Sequence, residues 1–201
     1  MKSGRRTRSR NTRSALLGAA AGLLEERGIG AVTLRAVGER AGVSRGAPYK
    51  HFADKEALLS VLAAGYFERL GLEMWGAAED SDGDPFSRLR AVGEVYVRFA
   101  LESPHRYRLM FGEKMQESPH PEVHEAAHGL YEGLVGAVAE CQEAGELPAG
   151  DPTGLAALIY ATVHGAVDLA LAGQADESKG LEDPRSQLRL LLFYLRIGAG
   201  D

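Results

Sequence analysis

Apolar residues recur three or four positions apart along most of the chain, and this spacing places them on one face of an α-helix. Leu16, Ala20 and Leu23 show it near the amino terminus, and Leu58 and Leu62 show it further on. No segment shows the sustained alternation of apolar and polar residues that is typical of strands joined by hairpin turns. The pattern therefore predicts an all-α fold.

The ends of the expected helices follow from capping residues, glycines and prolines. Thr33, Ser44 and Asp54 each precede a helical pattern and are placed to accept a hydrogen bond from a free amide of the first turn. Segments 79–85, 112–121 and 145–152 carry glycine and proline and are expected to be loops. The expected helices cover residues 12–27, 34–41, 45–51, 55–75, 86–101, 104–111, 122–144, 153–172 and 184–197.

The length of 201 residues fits either one large domain or one small and one medium-sized domain. Residues 1–11 are basic and polar, and they are expected to form a disordered arm. Residues 12–58 are then expected to form a small helical domain, and residues 59–201 a larger one. Cys141 is the single cysteine, so no intramolecular disulfide can form, which suits a reducing cytoplasm.

The charge is distributed unevenly along the chain, although the net charge is only −5. Residues 1–60 hold 12 basic and 5 acidic side chains, a net charge of +7. Residues 61–201 hold 11 basic and 23 acidic side chains, a net charge of −12. A basic end on an acidic body indicates that the amino-terminal part meets nucleic acid or another anionic surface.

Residues 33–59, TLRAVGERAGVSRGAPYKHFADKEALL, have the layout of a helix-turn-helix. Two short helical patterns are joined by a tight turn at Gly42, and Ser44 precedes the second of them. In this motif the first helix lies across the second, and the second enters the major groove with its amino-terminal part toward the base edges.

The segment 12–62 resembles the DNA-binding domain of the tetracycline-repressor (TetR) family. The matching positions are Leu16, Ala19, Ala20, Leu23, Gly28, Thr33, Leu34, Ala41, Gly42, Val43, Ser44, Tyr49, Lys50, His51, Phe52, Lys55, Glu56, Ala57, Leu58 and Leu59. The resemblance implies nine or ten helices, a carboxy-terminal ligand-binding domain, and a dimer in which the last two helices of each copy form a four-helix bundle.

The resemblance also implies which residues meet DNA. Phosphate contacts are expected from Thr33, Ser44, Tyr49 and Lys55. Base contacts are expected from Arg45, Gly46, Ala47, Lys50 and His51. The basic arm is expected to add phosphate or minor-groove contacts, and the alternative is a solvated tail.

Pro48 departs from the usual family pattern. A proline at the end of the first turn of a helix starting at residue 45 would remove an amide donor and crowd a carbonyl. We therefore expect a tightened or kinked first turn in the recognition helix.

The larger domain resembles one TetR subfamily at two places. Residues 105–112, HRYRLMFG, are similar to one of its helices, and His164-Gly165 matches the end of its Trp-His-Gly signature, with Tyr160 at an aromatic position. An effector pocket is expected, although any of its residues could instead belong to the ordinary core. The candidate lining residues are Phe67, Trp75, Tyr96, Phe99, Met110, Phe111, Tyr131, Tyr160 and His164.

Apolar stripes run along the last two helices at helical spacing. They are a candidate dimer interface, and the alternative is that they form the internal core of a monomer. The stripes consist of Tyr160, Val163, Val167 and Leu171, and of Leu188, Leu191, Leu192 and Leu195.

An enzymatic alternative rests on residues 124–128, HEAAH, which match the zinc-binding pattern H-E-x-x-H. Glu143 or Glu146 could supply a third ligand. The extended metzincin pattern fails because Tyr131 stands at its glycine position. We therefore expect no catalytic metal and no enzymatic activity, and we expect His164 and Asp168 to be a pair on one side of a helix rather than an acid–base dyad.

Together these features predict a cytoplasmic, sequence-specific transcriptional regulator that has no membrane segment. The expected partners are a palindromic operator in double-stranded DNA, a second copy of the chain, and an unidentified small-molecule effector. No cofactor is expected. Repression with release by the effector is the mode of action that the resemblance implies.

Overall fold

The computed structural model describes residues 2–81, 83–181 and 183–199, with side chains from Arg10 onward. Over these residues the regular structure is entirely helical, which confirms the predicted fold class. The helices are α1 (Lys2–Arg27), α2 (Leu34–Arg40), α3 (Ala47–His51), α4 (Lys55–Glu79), α5 (Pro85–Glu102), α6 (Pro104–Phe111), α7 (Glu113–Gln116), α8 (Pro121–Glu143), α9 (Pro152–Leu171) and α10 (Pro184–Ile197).

The helices differ from the prediction most clearly at three places. The expectation of a disordered arm is wrong for residues 2–11, because α1 begins at Lys2 and its backbone is helical there. No proline interrupts that segment, so no residue in it lacks the amide that a helix needs. The expected loop 112–121 contains the single-turn helix α7. α3 begins at Ala47 instead of residue 45.

Side-chain caps fix the starts of α2 and α4 as predicted. The Thr33 hydroxyl accepts a hydrogen bond from the Ala36 amide at 3.1 Å. The Asp54 carboxylate accepts one from the Ala57 amide at 2.8 Å. The expected cap by Ser44 is wrong, because Gly46 is the N-cap of α3 and makes no side-chain hydrogen bond.

The chain divides into two compact units. The first unit contains the described residues up to Phe67 together with residues 105–126. The second contains residues 68–104 and the described residues from Ala127 onward. The helix-turn-helix therefore shares a unit with α6, α7 and the start of α8, which the sequence assigned to the larger domain.

In the first unit, α1 forms the centre against which α2 and α3 pack. Leu16, Ala20 and Leu24 are fully buried along one face of α1, as their spacing predicts. At its end the Glu26 carboxylate accepts two hydrogen bonds from the Arg40 guanidinium of α2, at 2.7 and 2.5 Å. This bidentate pair joins the ends of α1 and α2 at the protein surface.

In the second unit, α5, α9 and α10 pack on one another. Gly93 of α5 lies against the side chain of Leu188 of α10. At the other end of α10 the Arg196 guanidinium lies 3.0 Å from Glu146 and 3.4 Å from Asp84, and 4.4 Å from the centre of the Phe86 ring. These contacts hold α10 against the start of α5.

The close approach of α2 and α3 can be tested by adding one methyl group. A Cβ on Gly38 would lie 2.8 Å from Cγ of the Pro48 ring, so Gly38→Ala forces the two helices apart. We expect the free energy of unfolding to fall by about 1–3 kcal/mol in urea denaturation.

The matched control is Gly18→Ala in α1, where no heavy atom lies within 4 Å of the added methyl group. In that open position alanine is expected to raise the free energy of unfolding by about 0.5–1 kcal/mol, since glycine is the poorer helix former. Equal effects of the two substitutions would contradict the proposed contact.

Candidate DNA-binding surface and effector site

The recognition helix α3 is oriented by Pro48, which is buried against Gly38. Because α3 begins at Ala47, Pro48 lies in its first turn, where an amide has no partner within the helix. Pro48 therefore interrupts no hydrogen bond of α3. The Ala47 amide donates to the Ser44 carbonyl, three residues back, at 2.9 Å, which agrees with a tightened turn, one of the two expected geometries. With Pro48 and Phe52 directed inward, Tyr49 and Lys50 face outward, and 60% of Tyr49 is exposed.

The residues predicted to meet DNA lie mostly on this exposed surface, and their contacts with DNA remain predictions. Thr33, Ser44, Arg45, Gly46, Tyr49 and Lys50 are exposed, whereas Ala47, His51 and Lys55 are half-buried. Lys55 is also anchored, because its ammonium donates a hydrogen bond to the Ile29 carbonyl at 2.9 Å. Burial, followed by the nearby charge of Lys114, lowers the pKa of Lys55.

Arg13 is a basic residue of this surface that sequence reasoning did not single out. Its guanidinium lies 5.4 Å from the centre of the Phe52 ring, just after α3. This cation–π contact holds a positive charge beside the recognition helix. The signal was present in the sequence, since Arg13 is a basic residue near the start of the predicted first helix.

A polar aromatic cluster forms in the second unit from four of the predicted effector residues. The Tyr96 hydroxyl lies 2.6 Å from Nδ1 of His164. The Tyr160 ring stacks on His164 with centroids 5.0 Å apart, and the Tyr131 ring meets Tyr160 edge-on at 6.0 Å. We refer to Tyr96, Tyr131, Tyr160 and His164 as the aromatic cluster.

The aromatic cluster has one acidic neighbour, and burial shifts the pKa of two of its members, raising that of Tyr160 and lowering that of His164. Nε2 of His164 lies 3.6 Å from the Asp168 carboxylate, one helical turn further along α9. Burial lowers the pKa of His164, and the Asp168 charge opposes this effect only in part. The expected pairing of His164 and Asp168 on one side of the helix is thus observed.

The other five residues that were predicted to contact an effector lie outside the aromatic cluster. Phe67, Met110 and Phe111 belong to the first unit, where the Phe67 and Phe111 rings meet edge-on at 5.2 Å. Trp75 belongs to the second unit and packs on Gly133, which leaves no room there for a Cβ. Phe99 is half-buried on α5.

The apolar stripes of the last two helices face inward only in part. Val163, Val167, Leu188 and Leu192 are at most 5% exposed and belong to the internal core, whereas Tyr160 is exposed and Leu171, Leu191 and Leu195 are half-buried. Other large apolar side chains of α9 and α10 are exposed together with Tyr160. This set, which we call the apolar face, comprises Leu158, Tyr160, Leu190, Phe193, Tyr194 and Ile197.

One of the two helices that carry the apolar face, α9, also has the composition of a membrane-spanning helix. α9 is long and apolar enough to cross a membrane, and only 22% of the apolar stretch is buried. A helix that pairs with a second copy of the chain shows the same composition, so this feature alone is weak support for a membrane segment.

The histidines of the HEAAH motif are engaged separately. Nε2 of His124 lies 2.7 Å from the Ser118 carbonyl oxygen. Nε2 of His128 lies 3.7 Å from the Glu132 carboxylate, one turn along α8. Among the residues that the structure describes, no three histidine, cysteine or acidic side chains gather in a way that could hold a metal ion.

Comparisons with known proteins relate both parts of the chain to bacterial regulators. The family model described as bacterial regulatory proteins, tetR family, matches residues 16–62. The model described as tetracyclin repressor-like, C-terminal domain, matches residues 89–192, which is just over half of the chain.

Two relatives described as the HTH-type transcriptional repressor KstR2 also match. The protein from Mycobacterium tuberculosis is 31% identical over 104 residues, which are 52% of this chain and 51% of that protein. The protein from Rhodococcus jostii is 39% identical over 69 residues, which are 34% of this chain and 30% of that protein. The chain spans about half the length of the first of these relatives and less of the second.

Solved structures show the same fold over nearly the whole chain. A protein with unknown function from Rhodococcus sp. RHA1 is 33% identical, with a TM-score of 0.81 over 93% of this chain and 94% of that one. A TetR-family transcriptional regulator from Pectobacterium atrosepticum is 24% identical, with a TM-score of 0.76 over 96% of this chain and 97% of that one.

The lowered pKa of His164 predicts a dependence of stability on pH. Because burial favours the neutral imidazole, the folded state binds this proton less readily than the unfolded chain does. The contribution to stability is present above about pH 6.5 and is lost as the pH falls through the lowered pKa of the folded state.

We expect the free energy of unfolding to fall more steeply between about pH 7.5 and pH 5 for the wild-type protein than for His164→Asn. Asparagine preserves an acceptor for the Tyr96 hydroxyl but does not titrate in this range. Urea denaturation at each pH measures both slopes. Parallel slopes would show that the pKa of His164 is the same in the folded and unfolded states.

Proposed function

The chain belongs to the TetR family of bacterial regulatory proteins, and from that premise we propose that it is a transcriptional repressor which binds a palindromic operator as a homodimer and is released by a small-molecule effector. The observation that carries the proposal is the orientation of α3, with Pro48 buried on Gly38 and with Tyr49 and Lys50 exposed. Action on DNA also supports a cytoplasmic location.

The side chains exposed on α3 and just before it are of the kinds that contact bases and phosphates in the major groove. The Lys50 side chain is exposed and could donate to O6 or N7 of a guanine, a common base-specific contact. Tyr49 could donate its hydroxyl to a phosphate, which would position the helix without reading sequence. Arg45 lies exposed just before α3 and is a second candidate for base readout.

A dimer is supported by the apolar face. Phe193, Tyr194 and Ile197 are all more than half exposed on the last helix. Exposed aromatic and aliphatic side chains grouped in this way are typical of protein interfaces. Symmetric pairing of two copies would supply the two recognition helices that a palindromic operator needs, about 34 Å apart.

The aromatic cluster supports an effector site in the second unit. It combines apolar ring surface with the Tyr96 hydroxyl, the His164 imidazole and the Tyr160 hydroxyl, and such a mixture can hold an organic ligand and fix its orientation. The proposal requires no cofactor.

Two helices connect the proposed effector site to the DNA-binding residues. α4 is continuous from Lys55 in the first unit to Glu79 in the second. α6 follows α5 directly, and its Arg106 forms an ion pair with Glu25 of α1 and lies 5.2 Å from the centre of the Tyr66 ring of α4. We propose that effector binding weakens operator binding, in which case operator binding weakens effector binding by the same factor.

Two substitutions on α3 test the DNA-binding surface. Tyr49→Ala is expected to weaken binding to every duplex alike, because it removes a phosphate contact. Lys50→Ala is expected to cost about 1–3 kcal/mol at one base pair of the preferred sequence and to relax the preference there. Fluorescence anisotropy with a preferred duplex and with a mixed-sequence duplex separates the two effects.

Tyr49→Phe is the matched control, because it retains the exposed ring and removes only the hydroxyl. It should bind about as weakly as Tyr49→Ala if the hydroxyl contacts phosphate. Unchanged affinity in both Tyr49→Ala and Lys50→Ala would contradict the docking of α3.

The dimer is tested by placing a charge on the apolar face. Phe193→Asp would bury an unpaired carboxylate in the interface, so we expect a dimer at micromolar concentration to become a monomer. Sedimentation velocity measures both states. Leu72→Asp on α4 is the control, since Leu72 is 77% exposed and lies outside the apolar face. A monomeric wild-type protein would contradict the proposed dimer.

A further inference from the structure

Arg13 of α1 lies over the ring of Phe52, the residue that directly follows α3. The central carbon of its guanidinium is 5.4 Å from the centre of the ring. Phe52 is only 3% exposed, so the ring is a fixed base for the charge above it. A cation–π contact of this kind restricts a side chain that is otherwise flexible. The Arg13 charge is therefore held beside the carboxy-terminal end of the recognition helix.

The Arg13 guanidinium can still bind a ligand. The side chain is exposed, although the ring beneath it is buried. The contact with Phe52 is not a hydrogen bond, so it uses none of the five N–H donors that a guanidinium carries. Among the residues that the structure describes, Arg13 forms no ion pair with a carboxylate.

The surroundings of Arg13 in the first unit are basic. α1 has no acidic residue before Glu25, which lies twelve positions and about 18 Å further along the helix. α1 packs against α3, and residues 10–24 and 45–56 of these two regions together hold 5 basic and 2 acidic side chains. One of the two acidic side chains, Asp54, is engaged as the cap of α4. This part of the surface therefore attracts an anion.

We propose that Arg13 binds one phosphate of the DNA backbone in each protomer, beside the groove that α3 enters, and that Phe52 is the positioning residue for its guanidinium. The inference rests on the proposed function, because the phosphate belongs to the DNA on which α3 docks. A guanidinium suits this ligand, since its planar fork of N–H donors matches two phosphate oxygens. α1 then contacts DNA in addition to supporting α2 and α3.

The contact has a measurable signature in the salt dependence of DNA binding. Each phosphate contact releases condensed counterions and contributes about −0.9 to the slope of log K against log salt concentration. Arg13→Ala in both protomers is therefore expected to make the slope of the dimer shallower by about 1.8. The same term is worth roughly eightfold in affinity per contact between 1 M and 0.1 M salt, equally for all duplex sequences.

The experiment measures the fluorescence anisotropy of a mixed-sequence duplex over a series of KCl concentrations, with the wild-type chain and with each variant. Arg90→Ala is the matched control, because Arg90 is an exposed arginine of the second unit. Arg13→Lys retains the charge and is expected to preserve the wild-type slope. A shallower slope for Arg13→Ala than for Arg90→Ala would support the phosphate contact.

Phe52→Leu tests the positioning role separately. Leucine keeps an apolar side chain at the buried position but offers no ring to the guanidinium. Because the Arg13 charge is retained, the slope should stay near that of the wild type, while affinity falls about two- to fivefold, the range of an exposed cation–π contact. Added to Arg13→Ala, the same substitution should cost no further affinity, a result that a general folding defect would not give. Urea denaturation confirms that each variant is folded.

Equal slopes for Arg13→Ala and Arg90→Ala would overturn the inference, while DNA binding by the wild-type chain would leave the proposed function standing. A lower free energy of unfolding for Arg13→Ala with an unchanged slope would mean that Arg13 only stabilises the end of α3. Absence of DNA binding by the wild-type chain would overturn the proposed function and this contact with it.

Discussion

The contact between Gly38 of α2 and the ring of Pro48 in α3 fixes the direction in which the recognition helix faces. A helix as short as α3, from Ala47 to His51, has little stability of its own, so packing on its neighbours must hold it. Because Pro48 is buried, the residues that follow it by one and two positions turn outward. The exposure of Tyr49 and Lys50, and with it the proposed reading of DNA, depends on this close approach, which the burial of Phe52 supports.

The same unit contains elements that connect α3 to the rest of the chain. The Glu26–Arg40 pair holds α2 on α1, and the Glu25–Arg106 pair holds α6 on α1. The Ser60–Ser118 hydrogen bond attaches the segment that follows α7 to α4. The DNA-binding unit is therefore larger than the helix-turn-helix segment, and α4 continues from it into the unit that holds the aromatic cluster.

The parts of the fold that depend on local chemistry could be predicted from the sequence. Thr33 and Asp54 cap their helices as expected, because a cap involves residues only three positions apart. The start of α3 was missed because Ser44 satisfies the same local rule without being used. Segment 105–126 was misplaced because its position depends on contacts such as Ser60–Ser118, which join residues 58 positions apart. Periodicity located the apolar stripes of α9 and α10 but could not separate the inward face from the exposed one, because both are apolar.

The central claim is that this chain binds DNA sequence-specifically as a dimer. The most direct test is to let the wild-type chain select duplexes from a random-sequence library and to sequence those that it retains. The selection is run at near-physiological salt with a chelator present. The account predicts enrichment of one sequence made of two inverted half-sites whose centres are about one helical turn, or a multiple of it, apart. A retained pool with no sequence preference over the starting library would contradict the account, because α3 would then not be reading base edges.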